Sequence, residues 1–254
     1  EMELPCSFPW QLHFMEMSHG EALAEYESQI PTQVCKEFVE ATDVIRLLQT
    51  KGVQVFVPSN WDGINGIEPL ELQWKDGLPS RLKPAARPVN PKLFEHAKKE
   101  FNRLRNYMYE PSVSPIASPL VIAPKATKPF IRLCGDYRII NNYIFIGHYP
   151  IPIVKHELAK IVRFKVFIDL DMVNSFHQIR IGPLTAARLS IQTPWGQVQP
   201  MFVPEGIGPA SFALQALVRD IFYDFDEWSI CIFDNFLILA DDYKDAYRKL
   251  DLFL

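Results

Sequence analysis

The chain has 254 residues, 48% of them hydrophobic, which is enough to bury the core of one large domain or two small ones. Its apolar runs are too short for a membrane-spanning helix, and residues 1–20 lack the basic start and apolar block of a signal peptide. The four cysteines form no Cys-x-x-Cys pair, which argues against a zinc site or a disulfide framework and predicts reduced thiols inside a cell.

The formal net charge of -4 conceals a segregation of charge along the chain. Residues 81–105 and residues 125–165 each carry eight bases and two acids, whereas both ends of the chain are acidic. Two basic blocks on one face would suit the phosphates of a nucleic acid. Solvated helix faces would have the same composition, so charge alone leaves both interpretations open.

The predicted elements are short and mixed in type. A helix is predicted over Glu37–Thr50 and a strand over Leu70–Trp74. Asn90 is a suitable N-cap before a proline, so a basic helix is predicted from Pro91 to Tyr109, which would border a template channel or present a solvated face. Further strands are predicted over Leu120–Ala123, Phe130–Leu133, Val166–Leu170, Ile179–Ile181, Val198–Phe202, Trp228–Phe233 and Phe236–Ala240, and helices over Ile153–Ile161 and Pro209–Phe225. This order has neither regular βαβ alternation nor a repeat, which predicts an α+β fold.

Two acidic residues lie where apolar strands end. Asp171 closes an apolar strand, and Asp234-Asn235 lies between two apolar runs, the pattern of a tight hairpin. Two-metal phosphoryl transfer needs hard cations about 3.5 to 4 Å apart, held by carboxylates from separate backbone elements. A strand-end aspartate facing a hairpin-tip aspartate would supply them. Taken singly, an Asp-Asn pair in a hairpin is more often ordinary turn chemistry, and a strand-end aspartate is commonly a helix cap.

Six sequence motifs follow one another along the chain between about Leu70 and Leu254. They are Ser114-Pro-Ile-Ala-Ser-Pro with Leu120-Val-Ile-Ala-Pro-Lys, Arg132-Leu-Cys-Gly-Asp-Tyr-Arg-Ile-Ile-Asn, Tyr149-Pro-Ile-Pro, Asp171 to Ile179, Val203 to Gln215, and Ile232-Phe-Asp-Asn. With this order and spacing, the chain resembles the reverse transcriptase of gypsy-class (Metaviridae) LTR retrotransposons and, more distantly, of retroviruses.

The resemblance implies an α+β right-hand polymerase fold, limited to fingers and palm, with an antiparallel palm sheet packed on helices. Residues 70–254 would be the fingers and palm, and residues 1–69 an amino-terminal polyprotein or linker region of unknown role. The family's thumb and RNase H regions are not expected within these residues.

The resemblance also implies a function, that of an RNA-directed DNA polymerase from a Pol polyprotein. It would add dNTPs to a primer on an RNA or DNA template with two Mg2+ ions, or with Mn2+. Asp171, rather than Asp169, and Asp234 would hold the metals, with the Met172 carbonyl as a further ligand. Gln215 would lie on the helix that supports the palm.

Further residues would bind the substrate by the same resemblance. Lys125 and Arg132 would grip the triphosphate, since an ammonium and a guanidinium both neutralise phosphate charge. Phe176 would lie under the deoxyribose and clash with a ribose 2'-OH. Ser175, Glu205 and Gly206 complete the predicted set, with Gly206 allowing a close approach of the backbone.

Two residues depart from the family pattern. Asn235 replaces the second aspartate of the hairpin, as in polymerases of negative-strand RNA viruses, and its amide can still donate a ligand oxygen. Glu205 stands where the family usually has Phe or Gln, and its carboxylate would repel a triphosphate unless it pairs with a cation. A second interpretation therefore stays open, a catalytically impaired nucleic-acid- or protein-binding module. Either protein would be intracellular, in the cytoplasm, a virus-like particle or the nucleus, and its oligomeric state is not predicted.

Overall fold

The computed structural model describes residues 18–33, 41–57, 62–124, 131–147, 152–172 and 174–254. Contacts between residues divide the chain into two compact units. The first unit is made of Glu1–Trp61, Pro150–Val173 and Gln215–Leu254, and the second of Asp62–Tyr149 and Asn174–Leu214. The predicted boundary between residues 1–69 and 70–254 separates two segments of a polyprotein and is not a boundary between compact units. It stays a prediction.

Both units contain helices and strands, which confirms the predicted α+β class. The described strands are β1 (Tyr109–Pro111), β2 (Ser118–Pro124), β3 (Ile131–Gly135), β4 (Val166–Asp171), β5 (Ile191–Thr193), β6 (Gly196–Pro200), β7 (Ser229–Ile232) and β8 (Asn235–Ala240). The described α-helices are α1 (His19–Gln33), α2 (Ala41–Leu47), α3 (Val53–Phe56), α4 (Phe94–Leu104), α5 (Val154–Ile161), α6 (Pro183–Arg188), α7 (Ala210–Ile221) and α8 (Tyr243–Phe253).

The first unit contains an antiparallel sheet in the order β4-β8-β7, with α8 packed against β4 and β8. The central strand β8 is almost continuously apolar because it is covered on both faces, and Ile238, Leu239 and Ala240 are fully buried. Asp242 caps α8 by accepting a hydrogen bond from the Asp245 N–H at 2.9 Å. An antiparallel sheet packed on helices was predicted for the palm, and it is confirmed.

The amino-terminal helices pack within the same unit. Tyr26 and Leu48 belong to a buried cluster against which Leu254 also packs. The Tyr26 hydroxyl donates to the Leu48 carbonyl at 2.9 Å, and Lys51 pairs with Asp251 at 2.6 Å. These contacts join the amino-terminal helices to the end of α8.

The second unit is built on a five-stranded sheet in the order β1-β6-β5-β2-β3. Its pairs are antiparallel except for β2 with β5, which run parallel. Helix α4 packs on β3, and its residues Ala97, Phe101 and Leu104 are buried. Arg132 lies on β3, in register with Ala123 of β2.

Two predicted strands were wrong. Leu70 and Trp74 each form only an isolated bridge, and in the predicted strand Ile179–Ile181 only Arg180 and Ile181 do so. The physical reason is visible at Leu72, whose N–H donates to the Thr185 hydroxyl at 2.9 Å in place of a neighbouring strand.

Two predicted helices differ from the observed ones in extent. The basic helix begins as predicted, with the Asn90 side chain accepting from the Lys92 N–H at 3.0 Å, but it ends at Leu104, because Tyr109 pairs with β6. Within the predicted helix Glu37–Thr50, residues 37–40 lie outside the described part. The remainder is helical and continues through a π-helical turn, Leu48–Gly52, into α3.

Candidate active site

The predicted hairpin is present in the first unit. Strands β7 and β8 pair from Ile232 and Asn235 outward, which leaves Phe233 and Asp234 as a two-residue turn. Phe233 has φ of 56°, in the left-handed region that aromatic residues rarely occupy. The turn therefore needs support from outside the hairpin.

Gln215 of α7 supplies that support. Its side chain is buried, its amide nitrogen donates to the Cys231 carbonyl at 3.2 Å, and its oxygen accepts from the Phe233 N–H at 2.8 Å. One amide thus satisfies backbone groups on both sides of Ile232, where an unpaired polar group would be costly. The sequence predicted the helix position of Gln215 but not this contact.

Strand β4 brings Asp171 to the hairpin. Asp171 is in register with Asn235, and the following Met172 N–H donates to the Asp234 carbonyl at 2.7 Å. The pKa of Asp171 is raised, first by burial and then by the carboxylates of Asp234 and Asp169. The strand register therefore places Asp171 beside the turn that carries Asp234, and the two carboxylates repel each other electrostatically. Burial alone raises the pKa of Asp169.

The donor set suits a hard cation. A divalent ion would relieve the repulsion between the two carboxylates, and carboxylate and carbonyl oxygens are the donors that Mg2+ prefers. Asn235 donates from its amide nitrogen to Asp234 at 3.1 Å, so an amide stands where the family has a second charge. Over the described ranges, no group of three or more His, Cys, Asp or Glu side chains is arranged for a metal ion. Asp171 and Asp234, with the Met172 carbonyl, are the oxygen donors predicted for this position.

Arg132 lies on β3 in the second unit and pairs with Glu205. The guanidinium is 2.8 Å from the Glu205 carboxylate, and the two side chains are 49% and 33% exposed. The sequence predicted that the Glu205 carboxylate would repel a triphosphate unless it paired with a cation. The cation that it contacts is the arginine predicted to bind that triphosphate.

Asn141 fixes the loop that carries Glu205. Its amide nitrogen donates to the Gly206 carbonyl at 2.9 Å, and its oxygen accepts from the Gly208 N–H at 3.0 Å. Gly206 has φ of 93°, a conformation that glycine adopts without the strain that a Cβ would introduce. The last residue of the motif that begins at Arg132 therefore positions this loop. Its place in the motif was visible in the sequence, but its two partners were not.

Two central residues of the same motif have structural partners. Asp136 accepts hydrogen bonds from Arg138 and also pairs with Arg87, and the bonds from Arg138 lower the pKa of Asp136 to about 2. The buried Tyr137 hydroxyl donates to the Leu189 carbonyl at 3.0 Å. Both residues hold β3 and the following turn in place.

The segment after Asn174 also lies in the second unit. Ser175 is buried and Phe176 is half-buried, within the short 3-10 helix Ser175–Gln178. Burial, with the positive charges of Arg103 and Arg132, lowers the pKa of His177 to about 4, so its imidazole is neutral at pH 7. The substrate roles predicted for Ser175 and Phe176 stay predictions.

The two basic blocks contain both paired and exposed cations. Arg103 pairs with the buried Glu100 at 2.6 Å, whereas Lys98 and Lys99 of the same helix are exposed. Arg103 is therefore neutralised, and the charge that α4 offers to a partner is smaller than the sequence predicts. Lys125 and the first three residues of Tyr149-Pro-Ile-Pro lie outside the described residues.

No protein-family model matches the chain, but individual relatives do. The retrovirus-related Pol polyprotein of transposon opus of Drosophila melanogaster is 28% identical over 157 residues, which is 59% of this chain and 16% of that polyprotein. The transposon Tf2-7 polyprotein of Schizosaccharomyces pombe is 28% identical over 172 residues, 64% of this chain and 13% of that protein. The chain thus matches about a sixth or less of either relative.

Solved structures match nearly the whole chain. The foamy viral protease-reverse transcriptase in complex with an RNA/DNA hybrid superposes with a TM-score of 0.73 at 17% identity, covering 100% of this chain and 32% of that one. Prototype Foamy Virus protease-reverse transcriptase gives a TM-score of 0.71 at 22% identity, covering 91% of this chain and 31% of that one. At such identities the likeness shows the fold. The chain is therefore a homologue of retrotransposon Pol polyproteins with the fold of a retroviral-type reverse transcriptase.

Proposed function

We propose that the chain is the fingers and palm of an RNA-directed DNA polymerase from a gypsy-class LTR retrotransposon. It would add dNTPs to a primer annealed to an RNA or DNA template. The foamy viral relatives were solved in complex with double-stranded DNA and with an RNA/DNA hybrid, which supports a nucleic-acid partner of this kind. The cytoplasm, a virus-like particle or the nucleus would be its place of action. Within the described part of the chain, none of the helices has the length and apolarity that crossing a membrane takes.

The convergence of Asp171 and Asp234 carries the proposal. Asp171, Asp234 and the Met172 carbonyl would bind two Mg2+ ions, with Mn2+ as a substitute. Bound ions would stabilise the charge that develops on the transferred phosphoryl group. Asn235 orients Asp234 through its 3.1 Å hydrogen bond and can present its own amide oxygen to a metal.

The substrate roles rest on the second unit. Arg132 and Lys125 would bind the triphosphate, with Gly206 giving a close approach of the backbone near the nucleotide. Phe176 would select against the ribose 2'-OH, beside Ser175 of the same short helix. Glu205 would lie within this binding surface, paired with Arg132.

Primer extension tests the polymerase reaction. The assay offers an RNA template, a DNA primer and the four dNTPs with Mg2+ or Mn2+ to this chain and to a longer Pol chain that contains it. Extension is expected in the longer chain and is expected to fall to background in Asp171→Ala and Asp234→Ala. The matched control is Asp169→Ala, which removes a neighbouring carboxylate of the same strand and should retain activity. Primer extension by Asp171→Ala at the wild-type level would contradict the proposed mechanism.

A catalytically impaired module is the second candidate. Two observations favour it, namely the amide of Asn235 in place of a carboxylate and the engagement of Arg132 by Glu205. Such a module would bind a primer-template duplex in a gel-shift assay without extending it. Binding together with extension supports the polymerase.

A further inference from the structure

We infer that Glu205 acts as a built-in competitor for Arg132, so that a triphosphate reaches this arginine only when their ion pair opens. The inference rests on the proposed function, which makes Arg132 a ligand of the nucleotide. It assigns a regulatory contact to a residue that departs from the family pattern.

The ion pair is formed but is open to solvent. Its 2.8 Å separation is that of a charge-assisted hydrogen bond, and about half of the Arg132 side chain and a third of the Glu205 side chain are exposed. Water can therefore solvate both groups when they separate. Pairs of this kind contribute little net stability, so a polyanion can displace the carboxylate.

The loop backbone does not need to move for this exchange. Asn141 holds Gly206 and Gly208 through hydrogen bonds of 2.9 and 3.0 Å, which fixes the main chain next to Glu205. A rotation of the Glu205 side chain is then sufficient to release Arg132. The fixed backbone also returns the carboxylate to the same place when the ligand leaves.

The competition has a chemical basis. A carboxylate and a phosphate both present two oxygens to the N–H groups of a guanidinium, so they recruit the same donors. While Glu205 is paired, its charge cancels that of Arg132, and an approaching polyanion meets a neutral pair. A neutral amide at this position would leave the charge of Arg132 uncompensated.

Calorimetric titration with inorganic tripolyphosphate and with dTTP measures the effect directly on the chain. Glu205→Gln, and independently Glu205→Ala, should tighten binding of both probes roughly two- to fivefold, the change expected on losing a half-exposed ion pair. Arg132→Ala should weaken binding, and adding Glu205→Gln to it should bring no further change. The matched control is Glu110→Gln, which removes the charge of an exposed glutamate bonded to Gln199 and should leave binding as in the wild type.

Several outcomes would overturn the competition. Weaker binding by Glu205→Gln would make Glu205 a residue that positions Arg132, and an equal gain in the Arg132→Ala background would show direct repulsion of the ligand. If Arg132→Ala weakens binding while Glu205→Gln has no effect, the competition fails and the proposed nucleotide site stands. If neither substitution alters binding, the proposed role of Arg132 fails as well.

Discussion

The ionisation of Asp171, whose side chain is partly exposed, has a small cost for the folded protein. Burial and the neighbouring carboxylates raise its pKa, so the folded state holds this proton more tightly than the unfolded state does. At any pH above the folded pKa, the ionised side chain therefore lowers the free energy of unfolding. Such a cost is typical of a site that is built to bind a cation.

Replacing Asp171 by asparagine should relieve this cost. At pH 7 and without divalent ions, Asp171→Asn is expected to unfold at a higher urea concentration than the wild type. The difference should shrink as the pH falls through the raised folded pKa and should vanish below about 4, where the carboxyl is protonated in both states.

Asp245→Asn serves as a control of opposite sign. Although burial alone would raise the pKa of Asp245, hydrogen bonds from Lys249 and Arg248 lower it below its usual range. Its ionised form therefore stabilises the fold at neutral pH, and Asp245→Asn should unfold at a lower urea concentration. A destabilised Asp171→Asn at pH 7 would contradict the account of the acidic site.

Phe176 is the residue proposed to select the sugar. If its half-buried ring lies under the deoxyribose, Phe176→Val opens space for a 2'-OH and should raise rNTP incorporation relative to dNTP incorporation. Single-nucleotide extension with matched dNTP and rNTP measures this ratio. Phe202→Val removes a buried ring of the same unit and is the control for a general loss of packing. An unchanged ratio in Phe176→Val would remove the proposed role.

Among the elements, the β7–β8 hairpin depends on a side chain from another segment. Gln215→Leu keeps the approximate volume but leaves the Phe233 N–H and the Cys231 carbonyl without their partner. The expected loss in the free energy of unfolding is about 1 to 3 kcal/mol. Urea unfolding measures it against Gln199→Leu, which removes the hydrogen bonds that a half-buried side chain makes with Glu110 and Ser112 and should cost less. Equal stability of Gln215→Leu and the wild type would show that the hairpin does not need this amide.

The loop that carries Glu205 depends on a glycine. A Cβ at Gly206 would meet nothing closer than 3.8 Å, so the cost of Gly206→Ala comes from its φ of 93° and not from a collision. We expect a loss of roughly 1 to 2 kcal/mol by urea unfolding. Gly147→Ala is the control, because a Cβ there meets no atom within 4 Å and no positive φ is present. A loop that tolerates Gly206→Ala as well as Gly147→Ala would not be held as we describe.

For the molecule as a whole, the sequence predicted long apolar elements better than short ones. β4 and the hairpin were predictable because Asp171 follows a run that is apolar except for Asp169, and because apolar runs flank Asp234-Asn235. The three-residue strands β1 and β5 were not predicted, because three residues are too few for a periodic pattern. Helix α8 was also not predicted, although Ala246, Leu250 and Phe253 recur in it at helical spacing.

Contacts between distant residues set the limit of prediction at the site. The motifs identified Arg132, Glu205 and Gln215 individually, but a single sequence carries no signal for the pairing of Arg132 with Glu205. The same holds for the first unit, which is assembled from three separate segments of the chain. Six motifs in order were sufficient for the fold class, whereas the support of the site required the structure.

The most direct test of the metal site is a titration of the chain with Mn2+, in which electron paramagnetic resonance measures the concentration of free Mn2+. The claim is that Asp171 and Asp234 together hold divalent cations. The wild type should remove Mn2+ from solution, Asp171→Ala and Asp234→Ala should each lose this binding, and Asp169→Ala should retain it. Titration curves for Asp171→Ala and Asp234→Ala that superimpose on that of the wild type would contradict the claim.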